Sequence, residues 1–378
     1  MRKWLPLLSA VCLLAACSDS IAPVVTPVDK PARNVAYWGY DADSDGIDDG
    51  TEWDLANRYA PVLSMPNLIE RWQAGSTPGD WAWPANVDWF LPQVRMRMHH
   101  DNCPDHTILG VGSVNTYNIT RQSHQRATSW LGCSHSGATY YSNRDWTAEN
   151  HFFLQPTNDV VHHGIHNPDQ WKVYFHAYRN NIGGINIQYW FFYAYNDFAG
   201  GFNHEVDWEH INVKLRPDHT PEGVYFAAHH DLNWYSAWDV IWHEGTHPRV
   251  WVGDGSHASY ATPWACNTTY VNGWPETCWD LPNHLWYTWS GGRGYNPGFE
   301  GQGLVNVGEK ARPMGGQDWL QYSGRWGEVG IIGGTSGPRG PAYNPHWMRD
   351  AYVYSGGGGG GGGGDCTSPD PNVIIPIC

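Results

Sequence analysis

Ile185-Asn-Ile-Gln-Tyr-Trp-Phe-Phe-Tyr-Ala-Tyr-Asn196 and, a short turn later, Val206-Asp-Trp-Glu-His-Ile-Asn-Val-Lys-Leu215 decide the fold class. Both segments are rich in β-branched and aromatic residues, which fit a pleated surface, so each reads as a β-strand and the pair as a hairpin. Strand side chains alternate between faces. Ile185, Ile187, Tyr189, Phe191, Tyr193 and Tyr195 therefore share one apolar face that ends at Asp197, while Asp207 and Glu209 open the matching stripe of Ile211, Val213 and Leu215. Burying adjacent carboxylates costs several kcal/mol per ion unless a cation or donors compensate. The turn supplies an imidazole at His204, and Asp197 is expected to stand across it from Asp207. Asp197, His204, Asp207 and Glu209 are thus the expected metal ligands at the rim of a sheet. Oxygen donors with one imidazole suit a divalent cation, calcium foremost, with magnesium and manganese also compatible. The plainer alternative is a hydrogen-bonded acidic turn anchored by Trp208.

Outward from this hairpin, Val87 to Met98, Trp171 to Tyr178, Gly223 to His229 and Arg249 to Gly253 read as further short strands between Gly, Pro, Asn and Asp clusters. Helical periodicity is scarce, apart from Glu52 to Ala60 before Pro61. The expected fold is all-β: an antiparallel β-sandwich around an aromatic core, with long loop excursions such as Asp101 to Asp169 and a few short helices. Residues 36–355 form one such domain.

Asp41-Ala-Asp-Ser-Asp-Gly-Ile-Asp-Asp-Gly-Thr-Glu52 is the second strong signal. Asp41, Asp43, Asp45, Asp49 and Glu52 offer carboxylates at the offsets of a calcium loop over residues 41–52, Ile47 offers its carbonyl, and Gly46 permits the sharp turn. Ile47 stands one position earlier than in an EF-hand. In that respect the loop resembles the thrombospondin type 3 calcium repeats of extracellular proteins.

Met1-Arg-Lys3 followed by the apolar run Trp4 to Ala16 reads as a signal peptide over 1–16. Leu14-Ala-Ala-Cys17 resembles the lipobox of bacterial lipoproteins. That implies lipidation at Cys17, a lipid-anchored tether over 17–35, membrane attachment through the anchor, and a place in the bacterial cell envelope at the outer membrane. With Cys12 and Cys17 set aside, Cys103, Cys133, Cys266, Cys278, Cys366 and Cys378 remain. In an oxidising compartment, pairing neighbours in sequence is the simplest connectivity. Metal–thiolate clusters are disfavoured by the lack of a C-x-x-C spacing. Nine glycines form a linker over 356–364, and 365–378 is a tail closed by its own disulfide. A formal charge of −15 argues against a nucleic-acid partner. Aromatics nearly match charged residues in number, as expected of a weakly charged secreted domain.

Arg58-Tyr-Ala-Pro-Val62, Val87-Asp-Trp-Phe-Leu91, Ile187 to Tyr193, His204-Glu-Val-Asp-Trp-Glu-His210, Gly255-Ser-His-Ala-Ser-Tyr260 and Gly324-Arg-Trp-Gly327 occur in an order similar to that of the vacuolar protein sorting-associated protein 62 family. The resemblance spans nearly the whole mature domain and implies the domain rather than a reaction. More distantly, the His-x-x-Asp-Trp-Glu element resembles that of necrosis- and ethylene-inducing peptide-like proteins. There an Asp, a His, an Asp and a Glu hold a divalent cation, and sphingolipid sugar headgroups are recognised; the matching residues here are Asp197, His204, Asp207 and Glu209. Val206 stands where those proteins have a second histidine, and Asn203 replaces a glycine.

Two functions follow as expectations. In the first, the metal site binds the hydroxyls of a glycan or glycolipid headgroup with aromatic stacking beside it. In the second, the ion activates water in a metal-dependent hydrolase of a secreted or cell-surface substrate, with His210 or His257 supplying acid–base chemistry. His257 lies in a turn of small residues, as where a chain passes close to a site. His229, His230, His162, His163 and His166 read as structural. No G-x-S-x-G element occurs, and Gly333 to Gly340 lacks the lysine of a phosphate-binding loop.

Overall fold

The computed structural model describes residues 40–69, 79–101, 103–127, 133–198, 202–289, 294–295, 303–330 and 334–352. The leader, Cys17 and its tether, the polyglycine linker, Cys366 and Cys378 lie outside the described residues. In chain order the elements that matter are α1 (Asp49–Tyr59), β1 (Val62–Ser64), α2 (Val87–Phe90), β2 (Val94–His100), β3 (His106–Leu109), β4 (Ser123–Gln125), β5 (Thr139–Tyr141), β6 (Asn150–Pro156), β7 (Val173–Arg179), β8 (Ile185–Asn196), β9 (His204–Leu215), β10 (Pro221–Ala228), β11 (Asp231–Ser236), β12 (Trp242–His243), β13 (His247–Val252), β14 (Ser259–Tyr260), α3 (Pro263–Asn267), β15 (Tyr270–Val271), β16 (Trp274–Pro275), β17 (Leu285–Tyr287), β18 (Gly294–Tyr295) and β19 (Leu304–Asn306).

The molecule is mainly β. One six-stranded sheet runs β11-β10-β9-β8-β7-β19, and a second runs β12-β13-β1-β17-β18 with β14 paired to β13. A smaller sheet, β3-β2-β6, completes the framework. Pairing is antiparallel throughout the central sheet except between β19 and β7. The β8–β9 hairpin keeps the faces the alternation predicts, in a register that sets Phe191 opposite Glu209, Tyr189 opposite Ile211 and Ile187 opposite Val213.

Both faces of that hairpin are covered, which explains why nearly every position in it is buried. The odd-numbered face meets α1, where Tyr189 Oη donates to the Ala56 carbonyl at 2.8 Å and Phe175 packs against Trp53. Across the even-numbered face lies the segment from Trp319 to Tyr352. Trp208 packs against Trp319 and Trp326, His176 stacks on Trp347 at 4.0 Å, and Gln188 Nε2 donates to the His346 carbonyl at 2.6 Å. A core this rich in Trp and Tyr gains large apolar area per side chain while its polar tips find backbone partners.

The stretch from Val87 to Met98 is a correction. It opens as helix α2, continues as a 3-10 turn over Leu91–Gln93, and becomes strand only at Val94. Asn86 caps the helix by accepting from Trp89 N at 2.8 Å, and Pro92 sits where the turn lacks a donor requirement. Helix α1 starts earlier than the expected Glu52, because Asp48 accepts from Thr51 N and forms its N-cap. It ends at Tyr59, because the next residue, Ala60, precedes Pro61 and is held out of the helical region. Cys103–Cys133 and Cys266–Cys278 are bonded as expected.

Candidate functional site

The loop ahead of α1 gathers its carboxylates. Single oxygens of Asp41, Asp43 and Asp45 lie within 4.8 Å of one another, as do those of Asp43, Asp49 and Glu52. Part of this order is local: Asp41 accepts from the backbone N–H groups of Ser44, Asp45 and Gly46, and Asp49 accepts from Ala42 N. Ser44 and Gly46 take left-handed backbone to close the turn. Asp43 is 3% exposed, and no donor reaches either of its oxygens; Asp45 Oδ2 and Glu52 Oε1 are equally orphaned. Burial, then the neighbouring acids, pushes the Asp43 carboxyl up to about 7 and Glu52 up to about 10. Such a group of converging, unpaired oxygens fits a hard divalent cation of the calcium type. Each of the carboxylates Asp41, Asp43, Asp45, Asp49 and Glu52 belongs to one of these two groups. Asn306, which donates to Glu52 Oε2 at 2.8 Å, and Arg179, which donates to the Gly46 carbonyl, are supporting contacts that local spacing does not reveal.

The hairpin acids meet a different environment. Asp207 stands opposite Tyr193 rather than across the turn from Asp197, because the ladder runs on to Asn196 opposite His204. Asp197 is held by Trp81 Nε1 and by Asn203 Nδ2, the latter at 2.6 Å. His204 Nδ1 bonds the Val206 carbonyl at 2.8 Å. Asp207 and Glu209 share a face as the alternation predicts, but Asp197, His204, Asp207 and Glu209 are not among the groups whose ligand atoms converge within 4.8 Å. Instead, His257 enters between two carboxylates, with Nδ1 3.0 Å from Asp207 Oδ2 and Nε2 3.0 Å from Asp80 Oδ2. The imidazole is 1% exposed and stacks on Tyr193 at 3.8 Å. Burial alone would strip its proton, but Asp80 and Asp207 outweigh that and hold its pKa up at about 10. His257 is therefore a buried imidazolium.

The turn of small residues makes this approach possible. Gly255 N donates to Asp80 Oδ2 at 3.0 Å, Asp197 N donates to the Gly255 carbonyl, and a Cβ on Gly255 would lie 2.6 Å from the Asp197 carbonyl oxygen. Val206, directly before Asp207, is held in left-handed backbone, a strained state for a β-branched residue. Glu209 is 8% exposed; burial, then Asp207 and Glu276, raises its carboxyl well above the usual range. Glu276 is paired with His229 and accepts from Ser256 Oγ. His210 points to the other face, stacked on Trp190 at 4.1 Å and near His346, where burial lowers its pKa well below the ordinary value. Neither candidate acid–base histidine offers a free, exposed ring nitrogen. Asp80 and Glu276 were missed because only the close packing of β14 and its turn on the hairpin identifies them.

Beside this cluster opens a cleft of ≈ 210 Å³, walled by Phe226 and Tyr235 on one side and Tyr260 and Trp264 on the other, with Asn233 and Thr268 as polar lining. Trp264, on α3, is 75% exposed. The lining residue Ser259 has a buried Oγ with no hydrogen-bond partner.

No protein-family model matches the chain, so the vacuolar protein sorting-associated protein 62 resemblance finds no support there. No curated protein matches it. A solved structure does: Necrosis and Ethylene inducing Protein 2 from the causal agent of cocoa's Witches Broom disease, with 14% identity and a TM-score of 0.34 over 79% of this chain and 91% of that one. This is a weak structural similarity, and it says nothing about individual residues or activity.

Proposed function

We propose that this is a calcium-stabilised β-sandwich lipoprotein of the bacterial cell envelope that binds a glycan or glycolipid headgroup in the cleft between β10–β11 and α3. The observation that carries the reading is the cleft's lining: flat aromatic faces set beside side-chain amide and hydroxyl groups. An aromatic face takes the C–H face of a pyranose, and a few placed polar groups take its hydroxyls. Trp264 is the stacking platform, and Asn233 and Thr268 are the hydroxyl partners. The divalent ion belongs to the 41–52 loop. In the hairpin, His257 supplies the positive charge that Asp207 and Asp80 require. The Cys17 anchor, the outer-membrane address and membership of the vacuolar protein sorting-associated protein 62 family belong to the same proposal, supported by the lipobox-like leader and the ordered motifs.

The second reading, hydrolysis of a cell-surface substrate, is favoured by one observation. Burial, then the Asp207 and Glu276 carboxylates, shifts the Glu209 carboxyl well above the usual range, the direction a general acid needs. A glycan and glycolipid array with calcium present, read for both binding and cleavage, tests the two together. Binding by the unmutated chain and its loss in Trp264→Ala is the expected result. No binding to any glycan, or undiminished binding by that variant, overturns the cleft assignment. Released product that disappears in Glu209→Gln would replace binding with hydrolysis.

A further inference from the structure

The excursion between β2 and β6 holds a cluster of imidazoles that neither the calcium loop nor the cleft uses. His100 ends β2, His106 opens β3, His124 lies on β4, and His135 precedes β5. One ring nitrogen from each of His100, His124 and His135 lies within 4.8 Å of those of the other two. Their ring centroids are 4.8 to 5.5 Å apart. His100 is 2% exposed. The Nε2 atoms of all three are buried and have no hydrogen-bond partner among the described residues.

Three orphaned nitrogens converging on one point call for an explanation, since leaving a buried polar atom unpaired costs about 1–3 kcal/mol each. Imidazoles packed merely as apolar plates would turn those atoms toward water or a carbonyl. His100 is also oriented from behind: its Nδ1 lies 3.3 Å from Asn150 Oδ1, so Nδ1 carries the hydrogen and Nε2 presents its lone pair. Neutral imidazoles are the donors of zinc-class ions and not of calcium. The Cys103–Cys133 disulfide fastens the strand end that carries His100 to the segment that carries His135. With both sulfurs bonded to each other, the donor set is nitrogen only.

We propose that His100, His124 and His135 form a binding site for a zinc-class divalent ion, with three imidazole ligands and a fourth position open beside His106. The ring of His106 stands 4.8 Å from that of His124 and 5.0 Å from that of His135, at the exposed rim of the cluster. This site is separate from the calcium loop and does not depend on the glycan-binding reading.

The test uses the full chain with its disulfides formed and without a polyhistidine tag, stripped with chelator and titrated calorimetrically with Zn2+ in excess Ca2+. One zinc per chain, weakened at least a hundredfold by His124→Ala and unchanged by Asp43→Asn, is the expected result. No zinc binding by the unmutated chain, or full retention in His124→Ala, overturns the site. Co2+ loaded into the unmutated chain reads the ligands without any variant. Visible bands of a four-coordinate ion lacking sulfur-to-metal charge transfer support three imidazoles. A charge-transfer band, or the weak spectrum of a six-coordinate ion, overturns them.

Discussion

The loop at 41–52 and the hairpin cluster around Asp207 both bury carboxylates, yet they solve the resulting charge problem in opposite ways. In the loop, Asp43, Asp45 and Glu52 keep oxygens that no described residue satisfies. In the hairpin, Asp80 and Asp207 enclose the chain's own imidazolium at 3.0 Å on either side. An inward-facing pair of acids is therefore a demand for positive charge, not by itself a metal signature. What separates the cases is whether a basic side chain from elsewhere in the fold reaches the acids.

The sharpest way to break this contrast is His257→Gln. Removing one partner of a buried ion cluster leaves uncompensated charge and destabilises by about 3–5 kcal/mol. Chemical denaturation should show a loss of that size in His257→Gln with calcium affinity unchanged. Because folding raises the pKa of His257, its stabilisation is complete below the unfolded value near 6.5 and fades as pH rises through about 10. The unmutated chain should lose stability over that alkaline range, and the variant should lack this component. Equal stability of the two proteins would return the hairpin acids to the role of ion ligands.

Calcium removal is the next effect in size. A ligand present at a hundredfold excess over its Kd stabilises by about 3 kcal/mol, so chelation should lower the melting temperature of the unmutated chain and leave that of Asp43→Ala unmoved. Acidity sharpens the point. In the metal-free chain the raised carboxyls of Asp43 and Glu52 bind protons more tightly folded than unfolded, so stability without calcium should fall as pH rises through about 7 and on toward about 10. With calcium bound the same oxygens are satisfied, and the gap between the two melting curves should widen with pH. A gap independent of pH would show that these acids are not the ligands.

The difference in legibility has the same origin. Every expected ligand of the calcium loop lies within 41–52, so spacing alone carries the site. The β8 bounds and the shared face of Asp207 and Glu209 were also legible, because alternation is a local property. His257 lies 50 residues from Asp207, and Asp80 joins it only through the fold, so the sequence shows the acids without their counter-charge. The position of Asp197 was misjudged for a related reason, since turn length does not determine how far a ladder extends. Asn86 and Pro92 are local signals for α2 and the turn after it, set in an apolar run that fits a strand equally well. The imidazole cluster spreads over four strands and turns with no ligand-pair spacing, and so leaves no local trace.

The smallest expected effect divides the hairpin cluster itself. Asp207 faces the His257 imidazolium, whereas burial, then Asp207, raises the Glu209 carboxyl on the same strand face well above its usual range. Glu209→Gln puts a neutral planar group of nearly the same shape where burial disfavours the charged one, so stability at neutral pH should stay within about 1 kcal/mol of the unmutated chain. Asp207→Asn removes a charge that His257 uses and should cost several times more. Paired denaturation curves of the two variants make the comparison directly. If Glu209→Gln proves as damaging as Asp207→Asn, Glu209 is ionised in the folded protein, and a cation other than His257 must stand beside it.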